Sequence, residues 1–322
     1  MNHSKLTQCY PLNRKLTDEE RQNQLRQKER LDVEPIYNAS TIKFNSTFVE
    51  IVDRLFNYRG MHTATAAFIS ISLFFMLFIP LFSDLLHERA LTKTTLLGTG
   101  ILFCINAPAI VALIWSICKE SFRWTHYPIR FNRRNRMVYV FCFDGVVRSA
   151  KWDDLFFTLG RFEWTPGGSI WDIRAHALKA DRETVEWTFA LPCDSEYIHQ
   201  LKMFWEFVRR YMEEGPASVH DGVLWCHDIA TQRETYHAGL DALYQTFNGQ
   251  PFYQIAGAPI FRLIALGRSF VMKTSKTPVW PDEVEAQCKV DPADPYLLDA
   301  SNNPDKRPTE PLAVARTRMG IK

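Results

Sequence analysis

The chain has 322 residues, 46 % hydrophobic and 23 % charged, with a formal net charge of +2 and seven cysteines. A balance this close to neutral excludes nucleic-acid binding driven by bulk charge, and seven cysteines in so long a chain exclude a disulfide-stapled miniprotein. The mean hydropathy of −0.20 is that of a soluble protein, but it conceals two long apolar runs without Asp, Glu, Lys or Arg, from Thr63 to Ser83 and from Thr94 to Cys118.

In chain order, the segment 1–60 is a polar arm. Thr17 followed by Asp18, Glu19 and Glu20 is a capping-box pattern, in which the hydroxyl accepts from a first-turn amide and the Glu reaches back. It predicts a helix over about 18–32. Leu25 and Leu31 are its only strong apolar side chains, so the helix is read as solvated, with packing along a partner as the alternative. The segment 44–56 is more amphipathic and is read as leading into the first apolar run along a membrane surface. The arm lacks the short apolar stretch of a secretory signal, so the runs that follow are expected to be internal.

Each apolar run is long enough, at roughly 1.5 Å per residue, to cross a hydrocarbon core about 30 Å thick. They define a transmembrane hairpin at 61–120, with spans at about 63–83 and 95–118. The connection 84–93 holds Arg89 and Lys93 balanced by Asp84 and Glu88. Lys43, Arg54 and Arg59 precede the first run, and Lys119, Arg123, Arg130, Arg133, Arg134 and Arg136 follow the second, which makes nine basic residues against two in the loop. By the positive-inside rule both termini are cytoplasmic. Two buried helices of a soluble protein are the competing reading; the lack of an apolar stripe and the flanking Tyr58, Trp115 and Trp124 argue against it. Pro80, Asn106 and Pro108 leave open a kink or an interhelical hydrogen bond, and runs without internal charge offer no ion path. Cys104 and Cys118 lie in the second run, while Cys9, Cys142, Cys193, Cys226 and Cys288 are scattered without CxxC spacing, as in a reducing compartment.

From Ile129 the period changes to that of strands. Residues 129–133, 137–143 and 146–152 are rich in β-branched and aromatic side chains, with Asp144-Gly145 as a hairpin turn between the last two. Further strands are expected at 155–162, at 170–178 after Pro166-Gly167-Gly168, and at 184–191. A helix over 195–213 follows, capped by Asp194 or Ser195, with Ile198, Leu201, Phe204, Trp205, Val208, Tyr211 and Met212 on one face and Gly215-Pro216 as its stop. The expected domain, 122–216, is a curved sheet or half-open barrel plugged by this helix.

The region 217–275 reads as helical. One helix is expected over 227–247, with Ile229, Tyr236, Leu240, Leu243, Tyr244 and Phe247 as its stripe and Gly249-Gln250-Pro251 as its end. A second, 259–272, is interrupted by Arg262 and Arg268; it is read as too short and too charged for a third span and as an interfacial or buried amphipathic helix. Residues 276–322 carry seven prolines, from Pro278 to Pro311, and are read as an extended, partly disordered tail.

Chemistry-bearing patterns are few. Trp225-Cys226-His227-Asp228 brings a thiol, an imidazole and a carboxylate together, but neighbouring residues of a helix point to different faces and no second cluster completes a tetrahedral site. His176 is read as a half-exposed strand residue rather than a base. No GxSxG, HExxH, phosphate-binding loop or dinucleotide fingerprint is present. No catalytic residue, metal site or cofactor is expected, and the protein is read as a non-enzyme. Arg130, Arg133, Arg134 and Arg136 are the candidates for contact with anionic lipid, each worth about 1 kcal/mol near a charged surface; the preferred reading of the cluster is as topology determinants on a solvated turn, with lipid contact as the alternative.

The strands 129–191 with the helix 195–213, and above all IRFNRRNRMVYVF and DGVVRSAKW, resemble pleckstrin-homology-like domains of bacterial membrane proteins. The wider pattern adds the two-span hairpin, WDDL, WEFVRRYMEEGP and PVWPDEVEAQC with DPADPY. It resembles a family of two-span inner-membrane proteins of Gram-negative bacteria encoded beside type VI secretion effectors. The resemblance implies an α+β membrane protein, with a hairpin, a mainly antiparallel β domain capped by a helix, and a helical C-terminal region. It also implies an immunity protein that neutralises a cognate toxin and a multi-pass inner-membrane location. The partners would be that toxin and the bilayer, with no nucleic acid; a homo-oligomer is compatible with the pattern. The rival readings are a membrane-anchored scaffold or lipid-sensing module of the envelope, and a toxin or membrane enzyme.

Overall fold

The computed structural model describes residues 10–86, 93–165, 168–246, 251–305 and 307. Cys9, the middle of the 84–93 connection, the Pro166-Gly167 turn, Phe247 to Gln250 and the end of the proline-rich tail lie outside the described residues. The chain divides into two compact units. Unit 1 contains residues 1–56, 126–232 and 278–322, and unit 2 contains 57–125 and 233–277.

Unit 1 is built on two antiparallel sheets. One has the order β2-β3-β4-β5-β6, from β2 (Thr41–Phe44), β3 (Phe48–Ile51), β4 (Ile129–Asn132), β5 (Met137–Phe141) and β6 (Val147–Lys151). The other has the order β1-β7-β8-β9, from β1 (Gln24–Leu25), β7 (Leu155–Thr165), β8 (Gly168–Leu178) and β9 (Val185–Ser195). Six strands fall where the alternation of β-branched and aromatic residues places them. Gly145 takes φ +81°, the conformation the Asp-Gly turn needs between β5 and β6. Helix α4 (Ile198–Glu213) packs on β8 and β9. Its apolar face buries Leu201, Phe204, Trp205, Val208, Tyr211 and Met212, side chains worth roughly 1.5–3 kcal/mol each when removed from water. Trp205 stacks on Trp152, with centroids 5.7 Å apart, and meets Phe157 at 4.7 Å, which ties the helix to the ends of both sheets. The helix stops at Gly215, φ +100°, where the amides of Glu214 and Gly215 both donate to the Arg210 carbonyl.

Several expectations for unit 1 are corrected. The capping box is formed, with Glu20 N donating to Thr17 Oγ1 and Thr17 N to Glu20 Oε2, but α1 covers only Asp18–Gln22. It ends there because Gln24 and Leu25 pair with Thr158 and Phe157 of β7, a ladder that buries Leu25 in the core, while Asp18, Glu19, Arg21 and Gln22 of the helix stay exposed, as the solvated reading expects. Residues 44–56 are not a membrane-surface segment: the Asn45 side chain accepts from the amides of Thr47 and Phe48 and turns the chain between β2 and β3. Neither Asp194 nor Ser195 caps α4, since β9 runs through both and Tyr197 occupies the cap position without a side-chain bond. Part of the proline-rich tail is ordered: α7 (Asp282–Gln287) forms, and Leu298 pairs with Phe44 through two backbone hydrogen bonds.

Unit 2 is helical. Helices α2 (Met61–Leu86) and α3 (Lys93–Glu120) pack antiparallel. The Glu120 carboxylate at the end of α3 accepts from Gly60 N, Thr63 N and Thr63 Oγ1, satisfying orphan donors at the start of α2. Asn106 does not bridge helices; its amide donates to the Leu102 carbonyl of its own helix. The helix expected over 227–247 begins only at Tyr236: α5 is Tyr236–Thr246. His227 and Ile229 are instead buried in unit 1, with His227 N donating to Thr41 O of β2. The helix expected over 259–272 starts eight residues earlier. It is α6 (Pro251–Thr274), with Pro259 accommodated inside it, and it packs on α2 and α5. A close approach of small residues joins α6 to α2: a Cβ on Gly267 would lie 2.6 Å from Gly60 O and 2.7 Å from the Ala64 Cβ. Residues 96–120 of α3 and 252–274 of α6 are long and apolar enough to cross a membrane.

Candidate functional site

The four candidate arginines surround the turn between β4 and β5, and the structure separates them. Asn132 Oδ1 accepts from Asn135 N, and Asn135 Oδ1 accepts from Met137 N, so two Asn side chains shape the turn. Arg136 takes φ +56° at its end.

Arg130 lies on β4 and points inward. Its Nε and Nη2 both donate to Glu50 Oε2, at 2.9 and 2.7 Å, and Nη2 also reaches Glu285 Oε1 at 3.1 Å. Phe48 and Trp280 lie over the guanidinium at 4.3 and 4.7 Å. Burial works against its charge, but the two carboxylates outweigh burial and hold its pKa above the ordinary value. It is a structural ion pair with no face left for a headgroup. Arg136 is taken up as well, by Asp153 at 2.6 Å and by Glu213 at 2.7 Å.

Arg133 and Arg134 remain available. With Ser46 and Thr47 of the β2–β3 turn and with Asp291, Ala293, Asp294 and Pro295, they line a cleft of about 390 Å³. Arg133 is anchored by its amide, which donates to Thr47 O, and its half-buried guanidinium lies against Gly215. Of the two carboxylates, Asp294 is engaged by Ser46 N and Ser46 Oγ at 2.7 Å and by Tyr296 N at 2.9 Å. Partial burial pushes its pKa up, yet these donors prevail and hold it below the usual carboxylate range. Asp291, the other carboxylate, is exposed and accepts from Ala293 N at 2.9 Å; two arginines and two aspartates therefore line the cleft, and the Arg pair is its candidate contact for a small anion. Sequence reasoning located the arginines but not Ser46, Asp291 or Asp294, which the fold brings in from distant parts of the chain.

The Trp225–Asp228 cluster has a different fate. Cys226 is buried and its thiol is pushed up to about 12 by that burial, with Asp299 adding to the effect, so thiolate chemistry is suppressed. Asn303 bonds both the amide and the carbonyl of Cys226, and His227 Nε2 contacts the Ala39 carbonyl at 2.7 Å. His176 is fully buried rather than half-exposed. Its Nδ1 meets Thr188 Oγ1 at 2.7 Å and its Nε2 lies 3.3 Å from Glu20 Oε1.

These features define a two-unit α+β protein, with a β unit that carries a small charged cleft and a helical unit with exposed apolar helices. The profile of a family of unknown function, DUF6708, matches residues 107–292, more than half of the chain, and the chain belongs to that family. The matched stretch runs from inside α3 through the cleft arginines to Pro292. No curated protein and no solved structure matches the chain.

Proposed function

We propose that this protein is an inner-membrane immunity protein that binds and neutralises a cognate type VI secretion toxin, with unit 2 in the bilayer and unit 1 at its cytoplasmic face. The observation that carries the membrane part is the antiparallel pair α2–α3. Its outer surface exposes Phe75, Ile79 and Phe82 on one helix and Leu97, Ile101 and Ile105 on the other, a surface that water disfavours and acyl chains accept. Hydroxyls on α2 are satisfied internally, Ser70 by Ala66 O and Ser72 by Phe68 O, as an apolar solvent requires. The excess of Lys and Arg outside the hairpin supports cytoplasmic termini. The immunity assignment rests on the sequence resemblance and on the economy of such a role, which needs a binding surface and no chemistry.

The test is survival. A strain lacking this protein, challenged by a sibling that carries the secretion system, should be rescued by the full chain, and the tagged chain should co-purify the toxin in near-equal amount. Equal survival with and without the protein would sink the reading. Replacing residues 63–118 by an unrelated two-span hairpin then assigns recognition, since retained protection places it in unit 1.

The second reading is a membrane-anchored, lipid-sensing pleckstrin-homology-like module. It is favoured by the two antiparallel sheets closed by α4 and by the Arg133–Arg134 cleft.

A further inference from the structure

Helix length alone makes α6 a membrane span; chain connectivity does not. The chain enters α5 from Gln232 and leaves α6 to Pro278, and both of these residues belong to unit 1. A folded unit lies on one side of a membrane, so the number of crossings between two of its segments must be even. The pair α2–α3, with 26 and 28 residues, meets this condition. The pair α5–α6 does not: α6 has 24 residues, but the 11 residues of α5 rise only about 16 Å, half of a hydrocarbon core of about 30 Å.

Within unit 2 the pair is closed at its base. Arg268 Nε donates to Glu234 Oε2 at 2.6 Å, with both side chains buried. Above that clamp, Gln254 Nε2 donates to Tyr244 O, and the Tyr244 and Phe261 rings meet edge to face at 5.4 Å. The base is level with the start of α2 and the end of α3, because Gly60 packs on the Arg268 backbone and Lys276 exchanges backbone hydrogen bonds with Arg123 and Thr125. From Gly267, beside Gly60, to Pro251 the helix rises roughly 24 Å, short of the far side of a core of about 30 Å. The sequence 242–261 carries no Asp, Glu, Lys or Arg, and at the free end of α6 Phe252 and Ile255 are 74 % and 77 % exposed.

We propose that α5–α6 is a re-entrant hairpin: it enters the bilayer from the side of unit 1, places Phe252, Tyr253 and Ile255 among the acyl chains, and returns to the same side without crossing. Packing of α6 on α2 gives it a protein wall on one flank, which helical ends within a membrane need. Arg262, exposed and little more than one turn from Gly267, is within snorkelling reach of headgroups. This inference rests on the bilayer reading of unit 2.

The test uses the full chain in sealed right-side-out and inverted vesicles from expressing cells, with a membrane-impermeant maleimide read by peptide-resolved mass spectrometry. Asp144→Cys, on the β5–β6 turn, reports the side of unit 1. Tyr253→Cys should be modified from neither side until detergent is added, at least tenfold less than Asp144→Cys; Ile255→Cys repeats the test should the first variant disturb the Phe252–Tyr253 contact. Modification of Tyr253→Cys from the side opposite Asp144→Cys would make α6 a full span and overturn the proposal. Modification from the same side would place the tip in water and overturn it too. The native Cys104 of α3 separates this failure from failure of the bilayer reading: it stays protected if unit 2 is embedded, and its modification would remove both.

Discussion

Glu50 and Arg130 face each other across β3 and β4 at one register position, and two guanidinium nitrogens converge on a single Glu50 oxygen inside unit 1. The pair fixes the turn that carries the cleft, because Arg130 leads directly into Asn132 and Arg133.

Removing the carboxylate would leave a buried charge with only the more exposed Glu285 to answer it. Glu50→Ala is expected to destabilise unit 1 by about 3–5 kcal/mol, read by urea unfolding of the detergent-solubilised chain with tryptophan fluorescence. A loss below about 1 kcal/mol, the size of a surface pair, would mean that water reaches the guanidinium.

The arginines of the turn should divide into two classes. Arg133→Ala with Arg134→Ala should leave the melting temperature unchanged and weaken the binding of short-chain phosphatidylglycerol, by up to about 30-fold if each contact is worth about 1 kcal/mol. Arg130→Ala should instead lower the melting temperature. Calorimetric titration beside thermal unfolding measures both, and a double variant that binds as the parent does would remove the cleft as an anion site.

Glu20 gives unit 1 an acid sensitivity. Burial raises its pKa, but the His176 ring at 3.3 Å and the hydrogen bonds from Arg14 and the Thr17 amide outweigh burial and place it well below the ordinary value. A folded-state pKa below the unfolded one contributes stability that is present above about pH 4.5 and is lost as pH falls from there toward the folded value. Glu20→Gln should therefore flatten the stability profile below that pH and lower the plateau above it. A variant whose acid limb matches the parent's would locate the sensitivity elsewhere.

The contact of α2 with α6 depends on the absence of a side chain at Gly267. Gly267→Leu is expected to cost about 1–3 kcal/mol or more by forcing the helices apart, whereas Gly98→Leu on α3, with nothing within 4 Å of its added Cβ, should be neutral. Thermal unfolding in detergent checks the pair, and equal melting temperatures would show that α6 does not seat on α2.

Local pattern made much of the fold legible. The turn residues Asp144-Gly145 and the stop at Gly215 act within a few positions, so six strands and α4 could be placed from neighbours alone. Where reading failed, a distant partner had overridden local preference. Helix α1 ends early because Leu25 completes a ladder with Phe157, and residues 223–235 stay irregular because His227 is held by β2 and Cys226 by Asn303. The site was half legible for the same reason: Arg133 and Arg134 advertise their charge, but the turn at Ser46 and the loop at Asp294 that complete the cleft carry no local sign of it.

By itself the sequence determined the two charge-free runs, the periods of strand and helix, and the turns, because hydropathy, side-chain periodicity and the freedom of Gly to take positive φ are properties of short segments. Only the tertiary structure decided that the chain up to Phe56 and the stretch from Pro278 onward join the strands in one unit, that Arg130 is an interior ion pair while Arg133 lines a cleft, and that the chain leaves that unit before α5 and returns to it after α6. Those outcomes depend on which distant groups meet, and a buried charge or an unpaired strand edge is stable only once its partner has arrived.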